Sequence, residues 1–468
     1  MREAERELSV TRTPVPGLLV VDLPLHRDSR GWFKENWQSE RLRALGVPDL
    51  RPVQHNVAFN PAVGTTRGVH AEPWNKWVSV ASGRVFGAWV DLRDGPSFGA
   101  LFTAEIDPSR AVFVPRGVGN AYQTLDPDTA YTYLVDDHWK PDAEYSCLNL
   151  ADETVGIPWP IPLSRARVSE KDRTHPRLDT VRRVPPKKTL VIGALGQLGR
   201  SLHALLGDAP HLEYRDRHDL DIADPGVLQA RAWTDYGTII NAAAFTAVDL
   251  AETSRGRVEA WTANVGGAEN LARIARDHDI TLVHISTDYV FDGQSDRPYT
   301  EDDPVAPLGV YGQTKAAADA IVATVARHYI VRTSWLIGEG RNFVRTMLAL
   351  ADRGEDPAVV DDQRGRPTFA EELARGILHL VSHSAPFGTY NLTGSGEPAT
   401  WADIARVVFE SAGHDPRRIV AVSTEEYLAT ATGPVAQRPR NSVLDLSKLA
   451  ATGFHPQAWR ESMRRHLG

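Results

Sequence analysis

The chain has 468 residues, which predicts two or three domains, and its scattered 36 Gly and 31 Pro exclude a collagen-like or disordered chain. Fifty-two basic and 60 acidic side chains give a net charge of −8, which offers no broad cationic surface to nucleic acid or an anionic membrane. Cys147 is the only cysteine, and the chain lacks both a signal peptide and a run of ~18 apolar residues, so we expect a cytoplasmic protein.

Residues 1–181 are predicted to form a domain made of strands. The β-rich runs 77–80 and 84–90 are separated by the turn Ala81-Ser82-Gly83. Shorter runs follow at 111–114 and 131–135, each close to Gly or Pro. Many short strands with this punctuation favour a sandwich or a small barrel.

His70 ends the word Arg67-Gly-Val-His, just before the predicted hairpin. A lone histidine is most often a satisfied core residue, and this reading stays open from the residue alone. A second reading is a metal ligand of a cupin barrel. Metal cupins need clustered histidines with a carboxylate, and the neighbouring histidines in sequence are His55 and His138, so we predict no metal here.

From about Leu18 to Pro160 the words DSRGWFKENW, QHNVAF, TTRGVH, AWVDLR, VFVPRGVGNAYQTL, AYTYLVDDHW and NLADETVGIPW occur in order. They resemble the dTDP-4-dehydrorhamnose 3,5-epimerase family, whose members fold as metal-free cupin (jelly-roll) barrels. The resemblance implies that His70 is the base and Asp152 its orienting carboxylate. It implies that Lys76 steadies an enolate and that Tyr133 is the acid on the opposite ring face. The implied nucleotide and substrate contacts are Arg30, Phe33, Glu35, Gln54, Asn56, Arg67, Asn120 and Trp139.

The chain departs from this family pattern in three places. Asn120 stands where the family has His, Trp139 stands where it has Tyr, and the segment between His70 and Lys76 is shorter. Because Asn120 cannot titrate, epimerisation at only one of C3 and C5, or action on another 4-keto-6-deoxysugar, stay open. The resemblance also implies a homodimer through this domain, with the first strand region reaching into the partner's site.

Residues 182–188 are charged and broken by two prolines, so we predict a linker there and a second domain over 189–468. Apolar runs then alternate with helical patterns, which predicts an α/β doubly wound (Rossmann) domain with a parallel sheet. The runs are 189–192, 238–241, 282–286 and 329–333.

Gly193-Ala-Leu-Gly196-Gln-Leu-Gly199 follows the first of these runs and opens a helical pattern. This context predicts a dinucleotide site, with the pyrophosphate on the helix N-terminus. Asp216 suits a ribose hydroxyl and the adjacent Arg217 suits a 2′-phosphate, so NADH and NADPH both stay open.

Tyr311 and Lys315 lie four residues apart and share one face of a predicted helix. We predict that the ammonium lowers the pKa of the phenol from about 10 toward neutrality, which makes Tyr311 a proton donor to a carbonyl oxygen. Thr287, at the end of a predicted strand, is expected to bond the same oxygen.

The words GALGQLG, NAAAFTAVDLAE, HISTDYVFDG, YTEDDPVAPLGVYGQTK, VRTSWLIG, VDDQRGRPT and QRPRNSVLD run in order through 188–468. They resemble the dTDP-4-dehydrorhamnose reductase family of extended short-chain dehydrogenases, in which Thr287, Tyr311 and Lys315 would carry the reduction. Some members hold magnesium through acidic residues, but the first such position is Arg200-Ser201 here, which argues against magnesium. The expected cofactor contacts are Gly193, Gly196, Gln197, Leu198, Gly199, Asp216, Arg217, Asp221, Ala242, Ala243, Asn264, Tyr311 and Lys315. The expected sugar contacts are Trp335, Gln363 and Arg440.

These observations predict a bifunctional enzyme of dTDP-rhamnose-type deoxysugar synthesis. It would epimerise carbons beside the ketone of a dTDP-4-keto-6-deoxyhexose and reduce that ketone with NADPH or NADH. One alternative is an active reductase with a cupin domain that only dimerises or binds. Another is a regulatory protein that binds a nucleotide, against which the intact Thr287, Tyr311 and Lys315 argue.

Overall fold

The computed structural model describes residues 7–139 and 145–467. The chain divides into two compact units, Met1–Pro186 and Lys187–Gly468. Most of the predicted linker therefore belongs to the first unit. Val184 is 6% exposed, and its backbone N–H donates to the carbonyl of Leu92 at 2.8 Å. The linker prediction missed this apolar contact, which fixes the segment on the barrel. Over the described residues, no helix is long and apolar enough to span a bilayer.

The first unit is built almost entirely of short strands, as predicted. Its elements are β1 (Ser9–Arg12), β2 (Leu19–Asp22), β3 (His26–Asp28), β4 (Gly31–Phe33), α1 (Ser39–Ala44), β5 (Gln54–Asn60), β6 (Thr65–Ala71), β7 (Lys76–Ser82), β8 (Val85–Asp91), β9 (Leu101–Ile106), β10 (Arg110–Val114), β11 (Val118–Thr124), β12 (Thr129–Val135), β13 (Ser146–Cys147), β14 (Arg167–Val168) and α2 (Glu170–Arg173).

Two sheets face each other in this unit and form a cupin barrel, which confirms the predicted fold. One sheet has the order β1-β2-β10-β7-β12-β5, and the other has the order β13-β6-β11-β8-β9 with β14 beside β6. Val78, Trp89, Val112 and Tyr131 fill the space between the sheets. Apolar side chains that alternate along antiparallel strands produce this one-sided core.

The second unit alternates strands and helices. Its elements are β15 (Lys188–Ile192), α3 (Gln197–Leu206), β16 (Leu212–Arg215), α4 (Pro225–Gln229), β17 (Tyr236–Asn241), α5 (Ser254–Ala260), α6 (Gly267–Asp277), β18 (Thr281–Thr287), α7 (Val310–Val322), β19 (His328–Thr333), β20 (Leu336–Ile337), α8 (Phe343–Asp352), β21 (Ala358–Val360), β22 (Arg364–Gly365), β23 (Thr368–Phe369), α9 (Ala370–Ser382), β24 (Gly388–Asn391), β25 (Ala399–Thr400), α10 (Trp401–Ser411), β26 (Val420–Val422), α11 (Thr424–Thr430), α12 (Ser447–Ala450) and α13 (Trp459–Leu467).

Its central sheet is parallel, in the order β16-β15-β17-β18-β19-β24, and this confirms the predicted Rossmann class. The chain leaves β15 toward one edge and returns past it to β17, so the strand order reverses between these two strands. Ligands of open α/β sheets bind at the carboxyl ends of the strands at such a reversal. The glycine-rich loop follows β15 and lies at this point.

Candidate active sites

Close backbone packing shapes the loop after β15. Gly193 has φ +82°, and a Cβ on it would lie 2.8 Å from the carbonyl carbon of Ala242. A Cβ on Gly199 would lie 2.3 Å from the carbonyl oxygen of Gly193. Both positions therefore require glycine, and the close packing seats the N-terminus of α3 against the loop. Gly196 is the N-cap, Gln197 and Leu198 start the helix, and the unpaired N–H groups of this first turn suit a pyrophosphate.

The groups predicted to read the ribose lie just after β16. The carboxylate of Asp216 accepts the backbone N–H of His218 at 2.8 Å, which orders the turn. The Arg217 side chain is 82% exposed, and its Nε lies 3.5 Å from the carboxylate of Asp221. This guanidinium is accessible to an added phosphate, whereas Asp216 and Asp221 serve the local turns.

Asn264 connects the loop after β17 to α7. It lies in a π-helical turn, Trp261–Gly266, and is 2% exposed. Its side chain accepts the N–H of Phe245 at 2.7 Å and donates to the hydroxyl of Thr314 at 2.9 Å. Asn264 therefore positions the cofactor loop through its protein contacts. In the same loop, Ala242 donates its N–H to the carbonyl of Ile192, while Ala243 donates to Asn241.

Thr287, Tyr311 and Lys315 lie together at the carboxyl end of β18 and the start of α7. The Thr287 hydroxyl donates to Asp288 Oδ1 at 2.9 Å. Burial raises the pKa of Tyr311, and the nearby Asp288 carboxylate acts in the same direction. The prediction that the pKa of the Tyr311 phenol is lowered is therefore wrong. Burial disfavours the charged phenolate, and the hydrogen bond with Thr287 lowers the pKa by less than burial raises it.

His284 is a site residue that the sequence analysis missed. Its Nε2 lies 3.0 Å from Lys315 Nζ, and its Nδ1 lies 3.2 Å from the side-chain amide of Asn241. Burial, followed by the charge of Lys315, lowers the pKa of His284 well below its ordinary value, so the ring is neutral. Burial also lowers the pKa of Lys315 to about 8. The available signal was His284 in the word HIST, on the strand that carries Thr287.

The predicted sugar-binding residues lie in different environments. Trp335 has φ +44° and stacks on Trp401 with ring centroids 4.0 Å apart. Gln363 is 5% exposed and donates to the hydroxyl of Thr424 at 3.0 Å. Arg440 is exposed, and its carbonyl accepts the N–H of Arg364. Trp335 therefore offers an aromatic platform, Arg440 offers an accessible cation, and Gln363 braces the protein.

In the barrel, the carboxylate beside His70 belongs to Asp172. His70 Nε2 lies 3.0 Å from Asp172 Oδ1. Burial raises the pKa of Asp172, but the hydrogen bonds from His70 and Ser169 and the charge of His70 together lower it below its ordinary value. The predicted pairing of His70 with Asp152 is wrong. The carboxylate of Asp152 accepts the backbone N–H groups of Val155 at 2.9 Å and Leu178 at 2.8 Å. Asp152 therefore stabilises a turn, and the short helix α2 delivers Asp172 to the base.

Lys76 lies between His70 and Tyr133. Its Nζ is 3.5 Å from the carbonyl oxygen of His70 and 5.9 Å from the centroid of the Tyr133 ring. It also pairs with Glu72, a carboxylate that the sequence analysis missed. Tyr133 and Lys76 belong to one sheet and His70 to the other, so these groups converge across the barrel. Burial and the charge of Glu72 raise the pKa of Tyr133, which keeps it protonated.

The predicted nucleotide contacts lie in three places: on β5, beside His70, and at the surface. Gln54 and Asn56 lie side by side on β5, where Gln54 donates to Asn56 at 2.8 Å and Asn56 is opposite Tyr133. Asn120 is opposite His70 on β11 and accepts the hydroxyl of Tyr131 at 2.9 Å, so it lies beside the base. The remaining predicted contacts are exposed or engaged at the surface: Arg30 with Asp28, Phe33, Glu35 with Arg41, Arg67 with Asn60, and Trp139.

A second histidine, His175, approaches His70. The sequence analysis considered only His55 and His138, the neighbouring histidines in sequence, and so missed it. The His175 ring meets the His70 ring edge-on, with centroids 5.4 Å apart. Cys147 is opposite His70 on the adjacent strand β13. Burial raises the pKa of this thiol to about 11. His175 lies beyond the strands and reaches the base only because α2 packs back onto β6.

Comparison with known proteins assigns a different family to each unit. The model of the RmlD substrate binding domain matches residues 187–468. The model of dTDP-4-dehydrorhamnose 3,5-epimerase matches residues 12–180. These matches confirm both resemblances seen in the sequence.

Individual relatives cover one unit each. A Streptococcus pyogenes protein named "Protein RmlC homolog" is 46% identical over 180 residues, which is 37% of this chain and 90% of that protein. A Streptomyces niveus dTDP-4-keto-6-deoxy-D-glucose reductase is 44% identical over 274 residues, 57% of this chain and 91% of that protein. The Bacillus anthracis dTDP-4-dehydrorhamnose reductase, solved with NADP, has a TM-score of 0.55 at 34% identity and covers 60% of this chain and 98% of its own.

Proposed function

The chain belongs to the RmlD substrate binding domain family through its second unit and to the dTDP-4-dehydrorhamnose 3,5-epimerase family through its first, and we propose that it epimerises and then reduces one dTDP-4-keto-6-deoxyhexose. The observation that carries this proposal is that each unit holds a complete set of proton-transfer groups. His70 with Asp172 supplies a base in the barrel. Tyr311 and Lys315 supply an acid at the Rossmann crevice.

The barrel groups suit proton removal beside a ketone. The C4 ketone acidifies the hydrogens on C3 and C5, and His70 takes one of them while Asp172 stabilises the imidazolium that forms. The Lys76 ammonium faces the developing enolate oxygen and stabilises it more than the ground state. Tyr133, from the opposite sheet, returns a proton to the other ring face. The configuration at that carbon is thereby inverted.

The Rossmann groups suit reduction of the same ketone. A bound nicotinamide supplies the hydride, and the exposed Arg217 supports NADPH as the source. Tyr311 donates the proton to the carbonyl oxygen, and Thr287 holds that oxygen in place. Lys315 stabilises the phenolate that is left, and His284 fixes the position of Lys315. The raised pKa of Tyr311 keeps the donor protonated before the reaction starts.

A homodimer through the barrel is part of the proposal. β5 is an edge strand, and its outward side chains Val57 and Phe59 are 65% and 59% exposed. Phe33, on the exposed hairpin of β3 and β4, is 68% exposed. An apolar edge strand left in water invites pairing with another chain. The variant Phe59→Asp, which places a charge on this apolar edge, should shift sedimentation to the monomer if β5 is the interface. We propose the cytoplasm as the compartment, from the single cysteine.

Product analysis tests the proposal directly. The full chain is incubated with dTDP-4-keto-6-deoxyglucose in D₂O, with and without NADPH, and the sugar is examined by NMR. Without NADPH, deuterium should enter at C3, C5 or both, and with NADPH a reduced epimer should form. Reduction without deuterium uptake would instead support the alternative in which the barrel only binds or dimerises. Deuterium at one carbon alone would show that only one of the two epimerisations takes place.

A further inference from the structure

Three side chains with metal-ligating atoms converge at the barrel base. In residues 7–139 and 145–467, one ligand atom each of His70, Cys147 and His175 lie within 4.8 Å of one another. His70 and Cys147 are directly opposite on adjacent strands, where facing Cβ atoms are about 4.5–5.5 Å apart. His175 arrives from the segment after α2. The cluster therefore rests on strand pairing and not on mobile surface groups.

His175 is the independent sign that this cluster is suited to a ligand. Its side chain is only 8% exposed. Neither buried ring nitrogen has a partner at good hydrogen-bond geometry: Nε2 lies 3.9 Å from Asp172 Oδ1, and the ring makes only a weak contact with the Leu148 backbone. An unpaired buried nitrogen loses its bond to water and gains nothing in return, at a cost of about 1–3 kcal/mol. A bound cation would satisfy one of these nitrogens.

We propose that His70, Cys147 and His175 form a Zn²⁺ site that switches off the epimerase base. Two imidazoles and one thiolate are a ligand set that Zn²⁺ favours and Mg²⁺ does not. A tetrahedral zinc site places neighbouring ligand atoms roughly 3.5 Å apart, given Zn–N and Zn–S bonds of about 2.0–2.3 Å. Side-chain rotations that move each ligand atom by about 1 Å close the cluster to this spacing. The His70 side chain is 37% exposed, so the fourth position is open to water.

Zinc and catalysis compete for the same imidazole. If the metal takes Nε2 of His70, it displaces Asp172, which orients the ring. If it takes the other nitrogen, it occupies the lone pair that removes the substrate proton. Either geometry removes the base, while the reductase site lies in the other unit and keeps its groups. The inhibitory half of this inference rests on the proposed epimerase function, but the metal site itself does not.

Because Cys147 is the only cysteine, cobalt reports on this site without ambiguity. The full chain, treated with a chelator and dialysed, is titrated with Co²⁺ and followed in the near ultraviolet. One equivalent should produce a thiolate-to-cobalt charge-transfer band, and one equivalent of Zn²⁺ should abolish it. Cys147→Ser should show no band, and His175→Asn should bind Zn²⁺ at least about 10-fold more weakly in competition with a chromophoric chelator. Circular dichroism verifies that both variants fold.

His203→Asn is the matched control. His203 Nε2 lies 2.9 Å from the Asp208 carboxylate, as His70 lies beside Asp172, but without a thiol in the pair. This variant should keep the wild-type band. Zn²⁺ should also stop deuterium uptake by the 4-keto sugar, but NADPH oxidation should be unchanged when the sugar supplied is already epimerised. Absence of the band in the wild type, or its persistence in Cys147→Ser, would overturn the site. A band combined with zinc-insensitive exchange would overturn the inhibition, and a band without any exchange would refute the epimerase function alone.

Discussion

Replacing Asp172 by Asn separates the base from the fold. The variant keeps the shape of the side chain but removes the charge 3.0 Å from His70 Nε2. A hydrogen bond to a charged group contributes about 1.5–3 kcal/mol, and about 1.4 kcal/mol corresponds to tenfold in rate. Because the His70 side chain is 37% exposed, water screens part of this interaction. We therefore expect deuterium exchange beside the ketone to slow by about 10- to 100-fold.

The assay is proton NMR of the 4-keto sugar in D₂O without cofactor, which records exchange independently of reduction. Asp152→Asn is the matched control. Asn has one acceptor oxygen, so one of the buried N–H groups of Val155 and Leu178 loses its partner at a cost of about 1–3 kcal/mol. This control should lower the melting temperature by several degrees, at about 2–4 °C per kcal/mol, and keep the exchange rate. Normal exchange in Asp172→Asn, with collapse in a folded Asp152→Asn, would refute the assignment.

Four further predictions concern the second unit and the boundary. Tyr311→Phe should abolish NADPH oxidation but keep nucleotide binding in calorimetry, because only the donated proton is lost; near-normal turnover would exclude Tyr311 as the acid. The Lys315 ammonium loses its proton as pH rises through about 8, so kcat/KM for reduction should fall above that pH, and a flat pH profile would count against this role. His284→Phe removes the hydrogen bond to the charged Lys315 and should lower kcat by about 10-fold or more, whereas an unchanged kcat would count against the role of His284. Cleavage at a site introduced between Pro186 and Lys187 should release two folded units, whereas removal of 182–186 should destabilise the barrel by exposing the contacts of Val184; calorimetry distinguishes the two.

Local patterns predicted the fold classes because the periodicity of strands and helices is set by residues near in sequence, although paired strands such as β5 and β12 lie far apart along the chain. The turn glycines 193, 196 and 199 and the pair Tyr311 and Lys315 lie within single strand–loop–helix units, so their spacing carries the geometry. The two strand periodicities likewise separate an antiparallel barrel from a parallel sheet. The boundary between the units falls inside the predicted linker, but charge and proline dominate the composition of that segment and hide the apolar contact of Val184 that packs it on the barrel.

Local sequence patterns could not identify the carboxylate that bonds His70. Asp152 and Asp172 are both about 80–100 residues downstream of His70, and no periodicity distinguishes a carboxylate that bonds a ring from one that caps a turn. Only the packing of α2 onto β6 decides between them. The same packing brings His175 to the base, although no histidine near His70 in sequence signalled a cluster. Contacts of high sequence separation have to be read from the structure.

His70 and His284 illustrate how surroundings assign a role to one residue type. His70 is partly open to water, and its Nε2 lies 3.0 Å from the Asp172 carboxylate, so its ring is held in place and accessible to a substrate. His284 is 1% exposed and faces an ammonium, so its protonated form is excluded. A histidine that cannot charge is no base, but it is a fixed acceptor that holds Lys315 beside Tyr311. The imidazole of His70 therefore transfers a proton in the barrel, whereas the imidazole of His284 holds Lys315 in position in the Rossmann unit. Exchanging the two neighbouring charges, the Asp172 carboxylate and the Lys315 ammonium, would disable both sites.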